Sequence, residues 1–157
     1  MISLTERDRL DIAELGSIYA WAIDNREPAL FDHVFTQDAL VTYPRGVGLR
    51  GLEQYKRYVR EFHAMHDGTQ HLIANHWLTP MEDHVMARSY AILTIKMIDQ
   101  PGGEIFRGGA KYTDRVVRTD GGWRIAERHA DSMWRGDNLD IIEAGHSAVQ
   151  HLLTKLS

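Results

Sequence analysis

The chain has no cysteine among its 157 residues, so a disulfide framework, a thiolate metal site and a cysteine nucleophile are all excluded. The core alone must hold the fold. No segment approaches the ~20 apolar residues of a membrane-spanning helix. The opening residues, Met1 to Asp8, lack the basic region followed by an apolar stretch that marks a secretory leader. A cytoplasmic protein with no membrane partner is therefore expected. Lys and Arg number 18 against 22 Asp and Glu, for a net charge of −4. The basic residues are dispersed and form no stripe for phosphates, so a nucleic-acid partner is not expected. Internal repeats, low-complexity segments and linkers are also absent.

What is present reads as one globular domain over residues 1–157. The hydrophobic fraction of 43% and charged fraction of 25% are those of a folded protein, and a chain of this length can bury roughly two-thirds of its unfolded surface. Ser3 and Glu6 have the spacing of a capping box. Behind them Ile12, Leu15, Tyr19, Ala22 and Ile23 fall on one helical face as far as Asp24. Pro28 suits the first turn of a short second helix with Leu30, Phe31 and Val34. Ala39 to Tyr43 reads as a strand that stops at Pro44, and the glycines at 46, 48 and 51 mark a turn. Helical spacing returns from Leu52 to about His66.

From Thr69 the pattern changes to strands. Long β-like runs cover His84 to Ile98, Ile105 to Arg118 and Gly122 to Met133, divided by Pro101-Gly102-Gly103 and Asp120-Gly121, both turn signals. Such short connections make neighbouring strands antiparallel. Asn138 to Leu156 reads as a final helix, with Asn138 as its cap. Helices first and long strands afterwards predict an α+β fold with helices packed on one face of a curved sheet and a cavity between them. Within Val85 to Ile98, Ala87, Ala91, Leu93, Ile95 and Met97 suit the cavity. Arg88, Tyr90, Ile92, Thr94 and Lys96 form a mixed outer face suited to self-association.

Two residues stand out chemically. Asp24 falls at the C-terminal end of the first helix, where the macrodipole disfavours a carboxylate that has no compensating donor or cation. By itself it reads as a solvated residue of a loop entrance. As a strand, the run around His71 puts His71, Ile73, Asn75 and Trp77 on one face and Leu72, Ala74 and His76 on the other. By itself His71 reads as a satisfied core histidine; paired with an Asp, its tautomer is fixed and it can serve as a base. Tyr19, Trp21, Trp77 and Trp134 are aromatic candidates for the cavity wall, and Arg107 is a candidate contact for a substrate oxygen. His63 and His66 read as solvated helix histidines, since no H-E-x-x-H motif accompanies them and no metal is expected. Gly102-Gly103 and Gly108-Gly109 open no helix and so do not cradle phosphate. There is no Gly-x-Ser-x-Gly elbow.

Trp21-Ala22-Ile23-Asp24, followed by Leu30-Phe31 and Tyr43, resembles the first catalytic segment of scytalone dehydratase and its SnoaL-like relatives. Thr69-Gln70-His71-Leu72-Ile73 is similar to the segment with that family's catalytic histidine. Asp120-Gly121-Gly122-Trp123-Arg124-Ile125 resembles its last hairpin, followed by Trp134 and Gly136. The resemblance implies a cone-shaped, cystatin-like fold of the nuclear-transport-factor-2-like type, with an antiparallel or mixed sheet and helices on its concave face. It implies a homodimer or homotrimer and no cofactor. Asp24 would orient His71, His71 would take a proton and return it to a leaving hydroxyl, and Tyr43 would help polarise a carbonyl. The family pattern is broken at Ile23, at Ile95, and at Ala110 and Tyr112, so scytalone is not the expected substrate. The implied function is a cofactor-independent lyase or isomerase acting on a small, mostly apolar carbonyl compound. The alternative is a non-catalytic ligand-binding or assembly subunit, like the small subunit of ring-hydroxylating dioxygenases, because fold alone does not choose.

Overall fold

In the computed structural model, which describes residues 2–44, 47–98 and 105–136, helix α1 spans Glu6–Asp24. A 3-10 helix follows at Pro28–His33 with proline in its first turn. Strands β1 (Phe35–Tyr43) and β2 (Val47–Arg50) lead to helix α2 (Leu52–Ala64), and strands β3 (His66–Pro80), β4 (Val85–Met97), β5 (Ile105–Thr119) and β6 (Gly122–Arg135) complete the order. The Pro101-Gly102-Gly103 turn and the Asn138 to Leu156 helix of the sequence reading lie outside the described residues. Among the described residues no helix is long and apolar enough to cross a membrane.

The six strands form one curved, mixed sheet in the order β2-β1-β6-β5-β4-β3. β3 to β6 pair antiparallel through short connections. β1 returns to the sheet parallel to β6, which makes the sheet mixed. β2 is a strand where the glycines at 46, 48 and 51 read as a turn; it pairs Leu49 with Val41 and buries Leu49 completely. The fold is α+β, with the helices on the concave face. Ile12, Leu15, Tyr19, Ala22 and Ile23 on α1 pack with Leu52, Tyr55 and Val59 on α2 and with Val41, Val85, Ala91 and Ile125 from the strands.

The helix cap lies two residues beyond the Ser3–Glu6 spacing. Thr5 is the N-cap: the Asp8 N–H donates to Thr5 Oγ1 at 3.1 Å, and the Thr5 N–H donates to Asp8 Oδ2 at 2.9 Å. Thr5–Asp8 wins because Asp8 is also tied to the sheet, accepting from Trp123 Nε1 at 3.0 Å and from Arg118.

The alternation expected along β3 fails at one point. Asn75 has φ +59°, and the pairing with β4 slips between Ala74 and Trp77. This bulge reverses which face follows it. His71 and Ile73 stand opposite the inward Leu93 and Ala91, whereas Trp77 stands opposite the outward Arg88. Asn75 is exposed and Trp77 is 65% exposed, with the Arg88 guanidinium 4.9 Å above its ring. The two are therefore not cavity residues. His76 turns inward instead, towards α1. A Cβ at Gly16 would meet His76 Cε1 at 3.1 Å, so a glycine in the middle of α1 permits the close approach.

The outer face carries an in-register row of Leu72, Ile92, Gly109 and Trp134 across β3, β4, β5 and β6. Leu72, Ile92 and Trp134 are exposed. Trp134 lies flat on Gly109, where a Cβ would come within 2.1 Å of the indole nitrogen. Gly109→Ala is therefore expected to evict the ring and cost about 1–3 kcal/mol, the usual range for overpacking. Urea unfolding would measure the loss. In a double-mutant cycle Trp134→Ala should cancel most of it, and purely additive effects would contradict the contact.

Candidate active site

Asp24 is the last residue of α1, and donors from β3 answer its unfavourable place at the negative end of the helix dipole. Thr69 Oγ1 donates to Oδ1 at 2.9 Å, the His71 backbone N–H donates to Oδ2 at 2.8 Å, and His71 Nδ1 lies 2.7 Å from Oδ1. The side chains of His71 and Asp24 are 6% and 18% exposed, so this contact sits inside the cone rather than at its rim. Burial pushes the Asp24 carboxyl up, but the hydrogen bonds from the His71 ring, the His71 backbone and Thr69 outweigh it and hold the group below the usual carboxylate range.

A carboxylate only accepts, so Nδ1 of His71 carries the hydrogen, and in the neutral ring Nε2 is the unprotonated nitrogen. Among the described residues nothing hydrogen-bonds Nε2. The ring meets Tyr19 edge-on, with centroids 6.2 Å apart. The arrangement provides an oriented base whose free nitrogen faces aromatic walls.

Those walls are rich in tyrosine. Tyr19 from α1 and Tyr55 from α2 share a hydrogen bond between hydroxyls at 3.0 Å. Tyr43 from β1 packs on Tyr58 with ring centroids 5.8 Å apart, and Tyr112 of β5 meets Tyr19 edge-on at 5.9 Å. Burial raises the Tyr43, Tyr55 and Tyr112 hydroxyls well above the ordinary phenol value, so they remain protonated donors. Beneath them Arg128 forms a two-point ion pair with Asp114, Nε to Oδ1 at 2.8 Å and Nη2 to Oδ2 at 2.7 Å. The guanidinium carbon lies 4.2 Å from the Tyr19 ring and 4.4 Å from the Tyr112 ring.

Of the residues picked out in the sequence, the fold brings Asp24 and His71 into contact and places Tyr19, Tyr112 and Ile95 on the inner side. Tyr43 is half-buried and belongs to the tyrosine cluster; among the described residues no hydrogen bond or ring contact joins it to Asp24 or His71. Four further picks face elsewhere besides Asn75. Trp21 is 60% exposed, on the far side of α1, with its indole N–H donated to Glu27. Arg107 pairs with Thr94 on the outer face of the sheet. Trp77 and Trp134 lie on that face too, the first because of the Asn75 bulge and the second because Gly109 makes room for it. His63 and His66 are buried, not solvated, because the end of α2 tucks under the start of β3. Arg128 and Asp114 went unremarked in the sequence, yet each stands at an inward position of its strand beside Ala130 or Tyr112 and Val116.

The profile of the SnoaL-like domain matches residues 5–129. The uncharacterised protein Rv2910c of Mycobacterium tuberculosis is 30% identical over 130 residues, covering 82% of this chain and 88% of that one. Among solved structures, the Kfla4162 protein of Kribbella flavida superposes with TM-score 0.79 at 21% identity, over 91% of this chain and 97% of that one. The hexachlorocyclohexane dehydrochlorinase LinA-type3 of Novosphingobium barchaimii does so with TM-score 0.73 at 20% identity, over 84% and 93%. At these identities the two structures establish the fold.

The lowered Asp24 pKa carries a pH signature. Its stabilisation is present above the unfolded value near 3.8 and is lost as pH falls through the lower folded value. Asp24→Asn should cost about 1.5–3 kcal/mol near neutral pH, the range for hydrogen bonds to a charged group, and should flatten the acid limb of stability. Urea midpoints between pH 2 and pH 7 test both; a variant that keeps the wild-type acid dependence would show that Asp24 is not the group responsible.

Proposed function

Since the chain belongs to the SnoaL-like domain family, we propose that it is a cofactor-independent lyase or isomerase in which Asp24 and His71 act as an acid–base pair on a small, mostly apolar substrate bearing a carbonyl group. The observation that carries the reading is the 2.7 Å contact between His71 Nδ1 and Asp24 Oδ1. It leaves Nε2 free to accept a proton from the carbon next to the carbonyl. Asp24 then faces the imidazolium at hydrogen-bond distance and stabilises it. The carbonyl oxygen takes the electron pair and receives a hydrogen bond from Tyr43 or from a water held by it. In the lyase direction the β-hydroxyl leaves with the proton returned by His71; in the isomerase direction the proton returns to another carbon. Tyr19, Tyr112 and Ile95 form the apolar surface that selects the substrate. A purely ligand-binding or assembly subunit would have no use for an oriented, unprotonated ring nitrogen inside the cone.

His71→Ala should abolish turnover without loss of fold, because Thr69 and the backbone N–H of residue 71 still hold the Asp24 carboxylate. Asp24→Asn should lower kcat by ~10² to 10⁴, the usual worth of a positioned acid–base group, with less effect on KM. The assay is absorbance of the conjugated product formed from a panel of β-hydroxy ketones. A His71→Ala protein with wild-type rates would remove the mechanism.

The same reading includes a homodimer or homotrimer joined through the outer face, where Leu72, Tyr90, Ile92 and Trp134 are exposed. An apolar patch of that kind favours association over open water. Sedimentation velocity at micromolar concentration should show a dimer or trimer, and Leu72→Lys with Ile92→Lys should release monomers. Wild-type protein that runs as a monomer would count against this face.

A further inference from the structure

The last turn of α2 carries a histidine that the reaction above does not use. His63 shares the inner face of the helix with Tyr55, Tyr58 and Val59 and is 7% exposed. Among the described residues its Nε2 is buried without a hydrogen-bond partner. Native folds retain few such atoms, and those they keep call for a reason. His66, one turn further on, shows how a structural histidine is settled here: its Nδ1 donates to the Phe62 carbonyl at 2.5 Å, and its ring packs on Phe62 with centroids 3.9 Å apart.

His63 lies within electrostatic range of Asp24 and His71, and of Arg26 and His66. The connectivity explains the proximity. α2 ends at Ala64 and β3 starts at His66, so the end of the helix and the Thr69–His71 stretch share one end of the cone. Burial, with the Arg26 charge and the neighbouring histidines, pushes the His63 pKa below the usual imidazole value. The ring is neutral at neutral pH and has a single N–H to give.

We propose that His63 is a second substrate-contacting residue: through Nε2–H it hydrogen-bonds the carbonyl oxygen of the substrate and holds that oxygen as it becomes an enolate. The proposal rests on the acid–base reading of Asp24 and His71. A carbonyl oxygen has two lone pairs, so Tyr43 and His63 can serve it together. A neutral imidazole suits the task because it donates without adding a positive charge beside the base, and a donor placed before charge develops needs no reorganisation during the step. The step balances. The α C–H pair enters the new C–C double bond, the carbonyl π pair moves to oxygen, and the proton goes to His71 Nε2. On collapse the oxygen pair re-forms the carbonyl, the enolate C–C pair moves into the α–β bond, the β C–O pair leaves with the hydroxyl oxygen, and the His71 proton joins it to give water. His63 keeps its own proton throughout. The ligand class is an aldehyde, ketone or thioester with an acidic α C–H.

The test is ring-nitrogen NMR on the full chain labelled at histidine, titrated with p-nitrophenol as an enolate mimic. The expected result is a shift at His63 Nε2 in the wild type and again in His71→Ala. Affinity for the same probe should weaken roughly 10- to 100-fold in His63→Phe, the worth of a hydrogen bond to a charged oxygen. In His63→Gln, whose amide replaces the donor, it should recover most of that loss. Circular dichroism checks that each variant folds. A shift at His71 alone, or equal affinities for wild type and His63→Phe, overturns the role of His63 and leaves the dyad standing. A shift at neither histidine overturns both. A His63 shift in a protein that turns over no β-hydroxy ketone supports the contact and overturns the acid–base reading.

Discussion

The Asp24 carboxylate is the point on which the site and much of the local fold depend. It ends α1 where the helix dipole works against it, and it is retained there because Thr69 and His71 of β3 supply three donors. One of the three is a backbone N–H, so the carboxylate fixes the strand's register against the helix as well as the ring's orientation. That double role explains why β3 is clamped at its start and free to bulge further along, at Asn75. It also means that the His71 tautomer is set by tertiary structure, since the Nδ1 hydrogen is committed to the same oxygen that Thr69 uses. Arg26, with φ +60°, closes the corner by donating to the His66 carbonyl at 2.8 Å.

Around this clamp the inner surface is more polar than its apolar walls imply. Arg128 and Asp114 are both buried, an arrangement that costs desolvation and stands only because the two-point geometry is met. The guanidinium also lies against the rings of Tyr19 and Tyr112, so the pair acts as a charged floor under the aromatic wall. Tyr19 is the link: one edge meets His71, its hydroxyl bonds Tyr55, and its face covers Arg128. The cone is thus a connected structure in which the floor and His71 meet through a single ring.

Much of this was legible in the residues, and the misreadings have physical causes. Helical periodicity located α1 and α2, and the Asp120-Gly121 turn located the β5–β6 hairpin, because each rests on local geometry that the chain cannot avoid. β2 was hidden because glycines at 46, 48 and 51 read as breakers, while Leu49 gains its burial from β1, a partner that local pattern does not reveal. The phase of β3 was right at His71 and wrong at Trp77, since a bulge of one residue reverses the alternation and Asn75 carries no signal that separates it from an ordinary strand residue. His63 and His66 read as surface groups because a helix end reads as exposed until its docking is known. The pairing of Arg128 with Asp114 joins β5 to β6, yet strict alternation from Tyr112 and from Ala130 already put both residues on the inner face.

The charge inventory of the cone bears on which chemistry it favours. At neutral pH Asp24 is an anion, Arg128 and Asp114 cancel each other, and His63 is held neutral by burial and by Arg26. The interior therefore carries the Asp24 charge, held by three hydrogen bonds. Taking up a proton at Nε2 turns that charge into one half of a second ion pair, already at hydrogen-bond distance. In the proposed reaction, proton abstraction would leave the protein side of the cone balanced and put the new negative charge on the substrate oxygen, facing protonated phenols. In a low-dielectric interior an isolated charge is expensive and a preformed pair is not. The enclosure thus favours a step in which a neutral carbon acid becomes an anion, and disfavours one that begins from an already anionic substrate, which would enter against Asp24.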